Sequence, residues 1–482
     1  MPRARIDAQE QRQLGELSGH LERHGYTDQL IKSLLNLSDM PHRRYDQIRG
    51  SLYNCQASDG PGARLVRLFM LNDALPRTQV EELLGVPLVA LMLKLELLEA
   101  RGDELTSVVD IYPTEGSWIL TDPRFSKQAF THQVYQIGTD SYVLARVTPR
   151  RPVERALDLC TGSGVHPVIA ARHAQESWGV DINPRALDFS RMNAWANGVG
   201  ERCHFVKSDL YREVQGQFGL ITANPPFVPT PVGKMELFRT GGASGEELTE
   251  GIVRGLVEHL APGGTFSMFT NYPVFRDSHH LDRMAEWLGG PDGWGLTVLN
   301  FLWMPRELFI SLHANPHAGQ EFYDQEFDQY LKSYEAQGIE AVVAANFFVR
   351  RLPPGTPGWR AERSLPFPSR AMGEVVAQWL DALEQPLPDL MSWKPQKHPE
   401  FGRMFVDPES GRGLVQFHDT QWSPLGTELN EEAAWLTQRA DGERTAYELA
   451  EELAQKWEQD LGPTLKTVTD SFRQLRHELI LQ

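Results

Sequence analysis

Short apolar runs alternate with amphipathic stretches through the middle of the chain. Between Ala156 and about Leu352 the runs are ALDLC, SWGVDI, CHFVKSD, FGLITAN, GTFSMFT and AVVAANFFVR. Each is strand-length, and the segments between them repeat their apolar residues at helical spacing. That alternation predicts an open, mostly parallel sheet with helices on both faces.

The flanks read differently. Residues 1–60 read as helices with polar breaks. Ala63 to Asn72, Arg77 to Leu84 and Pro87 to Leu98 follow as three helices, the last with proline at its start. Glu104 to Asp110 and Ser117 to Thr121 read as strands around the Pro113-Thr114-Glu115-Gly116 turn. Three helices and a hairpin resemble a winged helix, a fold that binds nucleic acid in some proteins and packs on a partner domain in others. A Pro-rich stretch from Leu352 to Pro368 reads as a linker. Beyond it, a turn at Asp441-Gly442 precedes an amphipathic helix, which predicts a small helical or winged-helix-like module. The expected domains are 1–130, helical and winged-helix-like; 131–352, the alternating region; 353–368, the linker; and 369–482, a mainly helical module.

Composition narrows the classes. The 482 residues are 41% hydrophobic and 23% charged, which excludes wholesale disorder and fibrous repeats. No run approaches the ~18 uncharged apolar residues of a membrane helix. The start of the chain, MPRARIDAQEQRQL, lacks the apolar core of a secretory signal, so a cytoplasmic protein without a membrane partner is expected. Cys55, Cys160 and Cys203 share no metal-ligand spacing, so reduced thiols and no metal site are expected. The net charge of −17 disfavours sequence-blind binding to phosphate backbones. Arg43, Arg44, Arg49, Arg64 and Arg67 form local basic clusters, readable as solvated helix faces or as a nucleic-acid contact.

ALDLCTGSGVH is an apolar strand ending in a glycine turn before a helix. Gly162 and Gly164 let the backbone turn sharply and approach a ligand. The helix start offers free N–H groups, which suits a nucleotide-like cofactor. The third glycine of the dinucleotide fingerprint is replaced by Pro167, which counts against NAD, and a P-loop Lys-Ser/Thr pair is missing. Asp158 sits inside this strand, Asp181 ends the next, and Asp209 ends the third. Each acid alone is readable as a cap or turn residue. Three in succession at the carboxyl ends of strands mark a ligand crevice.

The fourth strand, GLITAN, runs into Asn224-Pro225-Pro226-Phe227. Two prolines fix the backbone and remove two N–H donors. The Asn224 amide oxygen and the Pro225 carbonyl are then two acceptors, matched to a planar –NH2 group. Gripping both protons favours the pyramidal nitrogen that attack on a methyl group requires. Phe227 offers a ring for a planar substrate to stack on. His166 beside the loop reads as packing rather than as a general base, and His279-His280 as surface.

These motifs resemble the class I S-adenosylmethionine-dependent methyltransferases of the NPPY/NPPF amino-methylating group, over residues about 136–352. Asp158 to Gly164, DLCTGSG, is similar to the family's DLGTGSG, with Cys160 in place of the first glycine. The resemblance implies a Rossmann-like domain with a seven-stranded, mostly parallel sheet. It implies S-adenosyl-L-methionine as cofactor, its methionine end along Asp158, Thr161, Gly162 and Gly164. Asp181 matches the family's ribose-holding acid, Asp209 the acid on the adenine amino group, and Asn224 to Phe227 the catalytic tetrad, with Asn224 near both ligands. Thr139-Asp140-Ser141 resembles the D-T/S step ahead of the first motif. Arg239-Thr240-Gly241-Gly242-Ala243-Ser244-Gly245 resembles the GGxxG turn of release-factor glutamine methyltransferases.

The implied reaction is direct displacement, with the substrate nitrogen attacking a sulfonium-bound methyl and no covalent enzyme intermediate. Within the resemblance, phenylalanine as the fourth tetrad residue favours a nucleobase, and the winged-helix-like start of the chain leans the same way. An exocyclic base amine in structured RNA is the first expectation. The GGxxG turn and the acidic surface favour its alternative, a glutamine amide in a protein. A small-molecule methyltransferase and a non-catalytic cofactor-binding regulator stay open.

Overall fold

The computed structural model describes residues 6–40, 47–124, 133–231, 241–314, 320–418, 421–423 and 426–482, save the Gln320 side chain. Arg43, Arg44, Arg239 and Thr240 lie outside the described residues. Two compact units emerge: Met1–Arg146, Arg150–Val298 and Leu302–Arg360 form the first, and Val147–Pro149, Leu299–Phe301 and Ala361–Gln482 the second. Among the described residues no helix is long and apolar enough to cross a membrane.

The first unit begins with helices α1 (Ala8–Leu14), α2 (Glu16–Arg23), α3 (Asp28–Leu35), α4 (Ile48–Ser58) and α5 (Pro61–Met70). A capping box starts α1: the Asp7 carboxylate accepts the Gln9 and Glu10 N–H groups while Glu10 accepts that of Asp7 at 2.8 Å. Strand β1 (Leu75–Pro76) then leads to α6 (Arg77–Leu84), α7 (Val86–Lys94), β2 (Leu98–Arg101) and β3 (Glu104–Ser107). These strands form an antiparallel sheet in the order β1-β3-β2. A second hairpin pairs β4 (Asp110–Thr114) with β5 (Ser117–Thr121).

The hairpin expected from the sequence is therefore two hairpins. Glu104–Ser107 pairs back onto Leu98–Arg101, whose first residue, Leu98, is the last of the helix expected from Pro87. Gly102, at φ +65°, makes the turn that separates them. The core also crosses the boundary expected near residue 130. Leu14, Leu17, Phe69, Leu88 and Met92 belong to one apolar cluster with Phe189, Met192 and Ala196, farther along the chain.

The alternating region follows: α8 (Thr139–Val147), β6 (Val153–Leu159), α9 (Val165–Ala170), β7 (Ala174–Asp181), α10 (Pro184–Ala196), β8 (Cys203–Lys207), β9 (Phe218–Ala223), α11 (Glu247–His259), β10 (Leu260–Phe275), α12 (His280–Trp287), β11 (Trp294–Pro305), α13 (Arg306–His313), α14 (Gln320–Gln337), β12 (Ile339–Arg351) and β13 (Trp359–Ser364). The sheet runs β13-β11-β12-β10-β9-β6-β7-β8. Strands β8, β7, β6, β9 and β10 are parallel neighbours, and β12 is antiparallel to β10. This is a Rossmann-like sheet. The order reverses between β6 and β9, which opens a crevice at their carboxyl ends.

Among the described residues the sheet has eight strands where seven are expected. The added one, β13, lies inside the stretch read as a Pro-rich linker, where its residues alternate between half-buried and exposed. Strand β11, WGLTVLNFLWMP, was also not among the strands read from the sequence.

The second unit contains α15 (Gly373–Glu384), an antiparallel sheet of β14 (Phe401–Val406), β15 (Gly413–Phe417) and β16 (Thr427–Leu429), and helices α16 (Glu431–Arg439), α17 (Ala446–Lys456) and α18 (Leu461–His477). The turn expected at Asp441-Gly442 precedes α17, with Gly442 at φ +80°. Thr445 and Glu448 close a capping box on that helix.

Candidate active site

Strand β6 leaves the sheet through Cys160-Thr161-Gly162-Ser163-Gly164. Cys160, Gly162 and Gly164 all have left-handed backbones, at φ +55°, +52° and +80°. A β-carbon on Gly164 would lie 2.8 Å from that of Ser190, so the third position is closed by packing. A β-carbon on Gly162 would meet nothing within 4 Å, so the loop is open at that point. Cys160 takes this backbone although its β-carbon disfavours it.

Helix α10 holds the loop from behind. The Ser190 hydroxyl donates to the Gly162 carbonyl at 2.9 Å. The buried Asn193 amide donates to the Ser163 carbonyl at 2.8 Å and pairs with both backbone groups of Leu120 on β5. Sequence reading missed both residues. A polar side chain in mid-helix carries no signal of what it meets across the fold.

The acids fall at the carboxyl edge, as expected. Asp158 is 1% exposed and accepts the Thr222 hydroxyl of β9 at 2.6 Å, across the point where strand order reverses. Burial pushes its carboxyl up to about 7, against the pull of the Thr222 hydrogen bond. Asp181 ends β7 and accepts the N–H groups of Gly162 at 2.9 Å and Asn183 at 2.8 Å. Burial raises its pKa, and these two donors oppose the rise. Asp209 lies two residues beyond β8, rather than at its last residue, and is exposed.

Asn224-Pro225-Pro226-Phe227 follows β9 directly. Both hydrogens of the Asn224 amide are engaged from the first turn of α8: Nδ2 lies 2.9 Å from Asp140 Oδ2 and 3.2 Å from Ser141 Oγ. Its oxygen, Oδ1, is buried with no hydrogen-bond partner among the described residues. Desolvation lifts the Asp140 carboxyl above its ordinary range, and the Asn224 hydrogen bond opposes it. Pro225 is buried, while Pro226 and Phe227 are half-buried.

The Phe227 ring lies edge-on to Phe269, 6.0 Å between centroids. It also packs on the apolar cluster of Phe309, Ile310, Tyr330 and Tyr334, carried by α13 and α14. The Tyr334 hydroxyl donates to the Pro229 carbonyl at 3.1 Å. The described part of the GGxxG-like turn packs on the same loop. Gly241 donates to the Val228 carbonyl at 3.0 Å, and a β-carbon there would lie 2.8 Å from the Phe227 Cα.

His166 is buried and its pKa falls to about 3, the mark of a neutral packed ring and a poor base. His280, expected at the surface, is buried with its ring 4.3 Å from that of Tyr272; its neighbour His279 is exposed.

These residues fit S-adenosylmethionine. The loop is open at Gly162, a carboxylate lies beside it, and Asn224 presents a buried acceptor with no partner among the described residues. When bound, the cofactor supplies an electrophilic methyl on sulfur.

Comparison with known proteins points the same way. Residues 124–284 match the model of the methyltransferase small domain. A ribosomal protein uL3 glutamine methyltransferase of Neisseria gonorrhoeae is 30% identical over 211 residues, 38% of this chain and 68% of that protein. A release factor glutamine methyltransferase of Mycobacterium leprae is 34% identical over 27% of this chain and 49% of its own. The ribosomal RNA small subunit methyltransferase C of Escherichia coli is 29% identical over 33% of this chain and 42% of its own. The chain belongs to the class I S-adenosylmethionine-dependent methyltransferases, in the group that includes the uL3 and release-factor glutamine enzymes and the ribosomal RNA methyltransferase C, and its cofactor is S-adenosylmethionine.

Proposed function

We propose that the chain methylates the side-chain amide nitrogen of a glutamine in a protein. The observation that carries the amino-group reading is Asn224 Oδ1, a buried acceptor left over when both amide hydrogens are engaged. In this reading Oδ1 and the Pro225 carbonyl each take one proton of the substrate –NH2, and Phe227 packs on its planar amide. Asp158, Thr161, Gly162, Gly164, Asp181 and Asp209 hold the cofactor. Rate enhancement comes from positioning and from acceptors aimed at the reacting nitrogen.

The choice of protein over nucleic acid rests on charge. Arg64 is paired with Asp59 at 3.1 Å and Arg67 with Asp73 at 2.7 Å. Lys94 on α7 is paired with Glu10. In a winged-helix-like reading of β1–β3 and α5–α7, the third helix would face nucleic acid. Its exposed positions are Val86, Pro87, Ala90 and Lys94. A net charge of −17 adds to this. The relatives named for uL3 and release-factor glutamine support the same choice.

An exocyclic amine in structured RNA is the second reading. It is favoured by phenylalanine as the fourth tetrad residue and by the relative named for ribosomal RNA. In either reading the enzyme works in the cytoplasm. The test is incubation of the full chain with tritiated cofactor and separate protein and RNA fractions from cells lacking the gene. Label in protease-sensitive, nuclease-resistant material supports the first reading. The reverse pattern supports the second.

A further inference from the structure

An asparagine amide can present either its oxygen or its –NH2 group to a substrate. The two forms differ by a half-turn about one bond, and the neighbours decide between them. At Asn224 the neighbours are Asp140 and Ser141, on the first two positions after Thr139 in α8. An ionised carboxylate accepts hydrogen bonds and cannot donate. The half-turned amide would set Oδ1 against the Asp140 carboxylate and forfeit two hydrogen bonds, at 2.9 and 3.2 Å.

We propose that Asp140 is a positioning residue that, with the Ser141 hydroxyl, locks the Asn224 amide with its oxygen toward the substrate, so that the site selects a nitrogen bearing two protons. The inference rests on the reading that Asn224 grips the substrate amino group. Asp140 touches neither the substrate nitrogen nor the methyl group; it acts through Asn224. A carbonyl acceptor placed at Oδ1 would meet a second acceptor and be rejected. An –NH2 group finds an oriented partner without reorganisation of the site. The carboxylate also packs against the backbone of Gly138. The space beside Gly138 is closed by the Asp140 side chain itself, which a β-carbon on that glycine would strike.

The test uses the full chain with D140A, D140N, N224A and the D140A/N224A double variant. Calorimetry reads S-adenosylmethionine affinity. Initial rates of tritium transfer into protein and RNA extracts from cells lacking the gene read turnover. D140A should keep cofactor affinity within about threefold and lower turnover by about 10²-fold, the scale of a misplaced contact. On the N224A background, D140A should change turnover by less than about threefold, because residues acting as one unit are not additive. D140N is isosteric, keeps one acceptor oxygen and should show an intermediate loss of about tenfold. It carries the comparison if D140A fails to fold. Wild-type turnover in D140N and D140A, or a double variant losing the product of the single losses, overturns the inference while leaving the Asn224 grip intact. Wild-type turnover in N224A instead removes the grip reading, and this inference with it.

Discussion

Asn193 donates a hydrogen bond to the Ser163 carbonyl at 2.8 Å, so a mid-helix amide on α10 fixes the middle of the cofactor loop. The same amide satisfies the Leu120 N–H and carbonyl, each within 3 Å. All of these groups are buried, and each costs about 1–3 kcal/mol when left without a partner. Asn193→Ala should therefore lower the thermal midpoint and weaken cofactor binding together. A variant with an unchanged melting curve and unchanged affinity would show that the loop stands without this tie.

Asp181 should matter to cofactor binding. Its carboxylate fixes the Gly162 and Asn183 N–H groups and, in the proposed role, takes the ribose hydroxyls. Asp181→Ala should weaken S-adenosylmethionine by about 1–3 kcal/mol, the cost of unpaired polar groups. Calorimetry giving wild-type affinity would remove Asp181 from the cofactor site.

How much of this was legible in the sequence follows from how local each feature is. The glycine loop, the acids at strand ends and the Asn224 to Phe227 segment are contiguous, and the strands before them are short apolar runs. The Asp140–Asn224 bond joins residues 84 positions apart, and no spacing rule reaches across that gap. Strand β13 alternates correctly, but its flanking prolines read as linker. Strand β11 is dominated by large apolar residues without alternation, which periodicity does not distinguish from a helix. The hairpin across Gly116 is present, but Gly102 turns Glu104–Ser107 back onto Leu98–Arg101, and Asp110–Thr114 takes its place opposite Ser117–Thr121.

Asp158 gives a pH prediction. Burial pushes its carboxyl up to about 7 in the folded protein, against an ordinary 3.8 when unfolded. Below about 4 both states hold the proton and the group contributes nothing. As pH rises through 4 to 7 the unfolded state sheds the proton and the folded state keeps it, so this residue progressively disfavours folding. Asp158→Asn retains an acceptor for Thr222 and removes the proton. Its thermal midpoint should exceed that of the wild type at pH 8 and approach it at pH 4. An equal difference at both values would contradict the burial account.

The cysteines should be inert. Burial pushes Cys55 up to about 11 and Cys203 up to about 12, and raises Cys160 as well. A thiol-specific reagent at pH 8 should label the native protein slowly and the denatured protein fast. Cys160→Ser should keep methyl transfer, since the displacement uses no enzyme nucleophile. Cys160→Gly should keep it too and relieve the left-handed backbone strain, for a net gain of roughly 0.5–1 kcal/mol. Loss of turnover in Cys160→Ser, with cofactor affinity intact, would assign chemistry to the thiol.

The chemical identity of the product decides whether this enzyme methylates a glutamine amide. Protein from cells lacking the gene is labelled with tritiated cofactor and the full chain, digested, and the labelled peptide sequenced by mass spectrometry. One methyl group is expected on a glutamine side-chain nitrogen, released as methylamine on acid hydrolysis, and none with Asn224→Ala. A methyl group on oxygen, sulfur or carbon, or one that still appears at the wild-type rate with Asn224→Ala, would contradict that expectation.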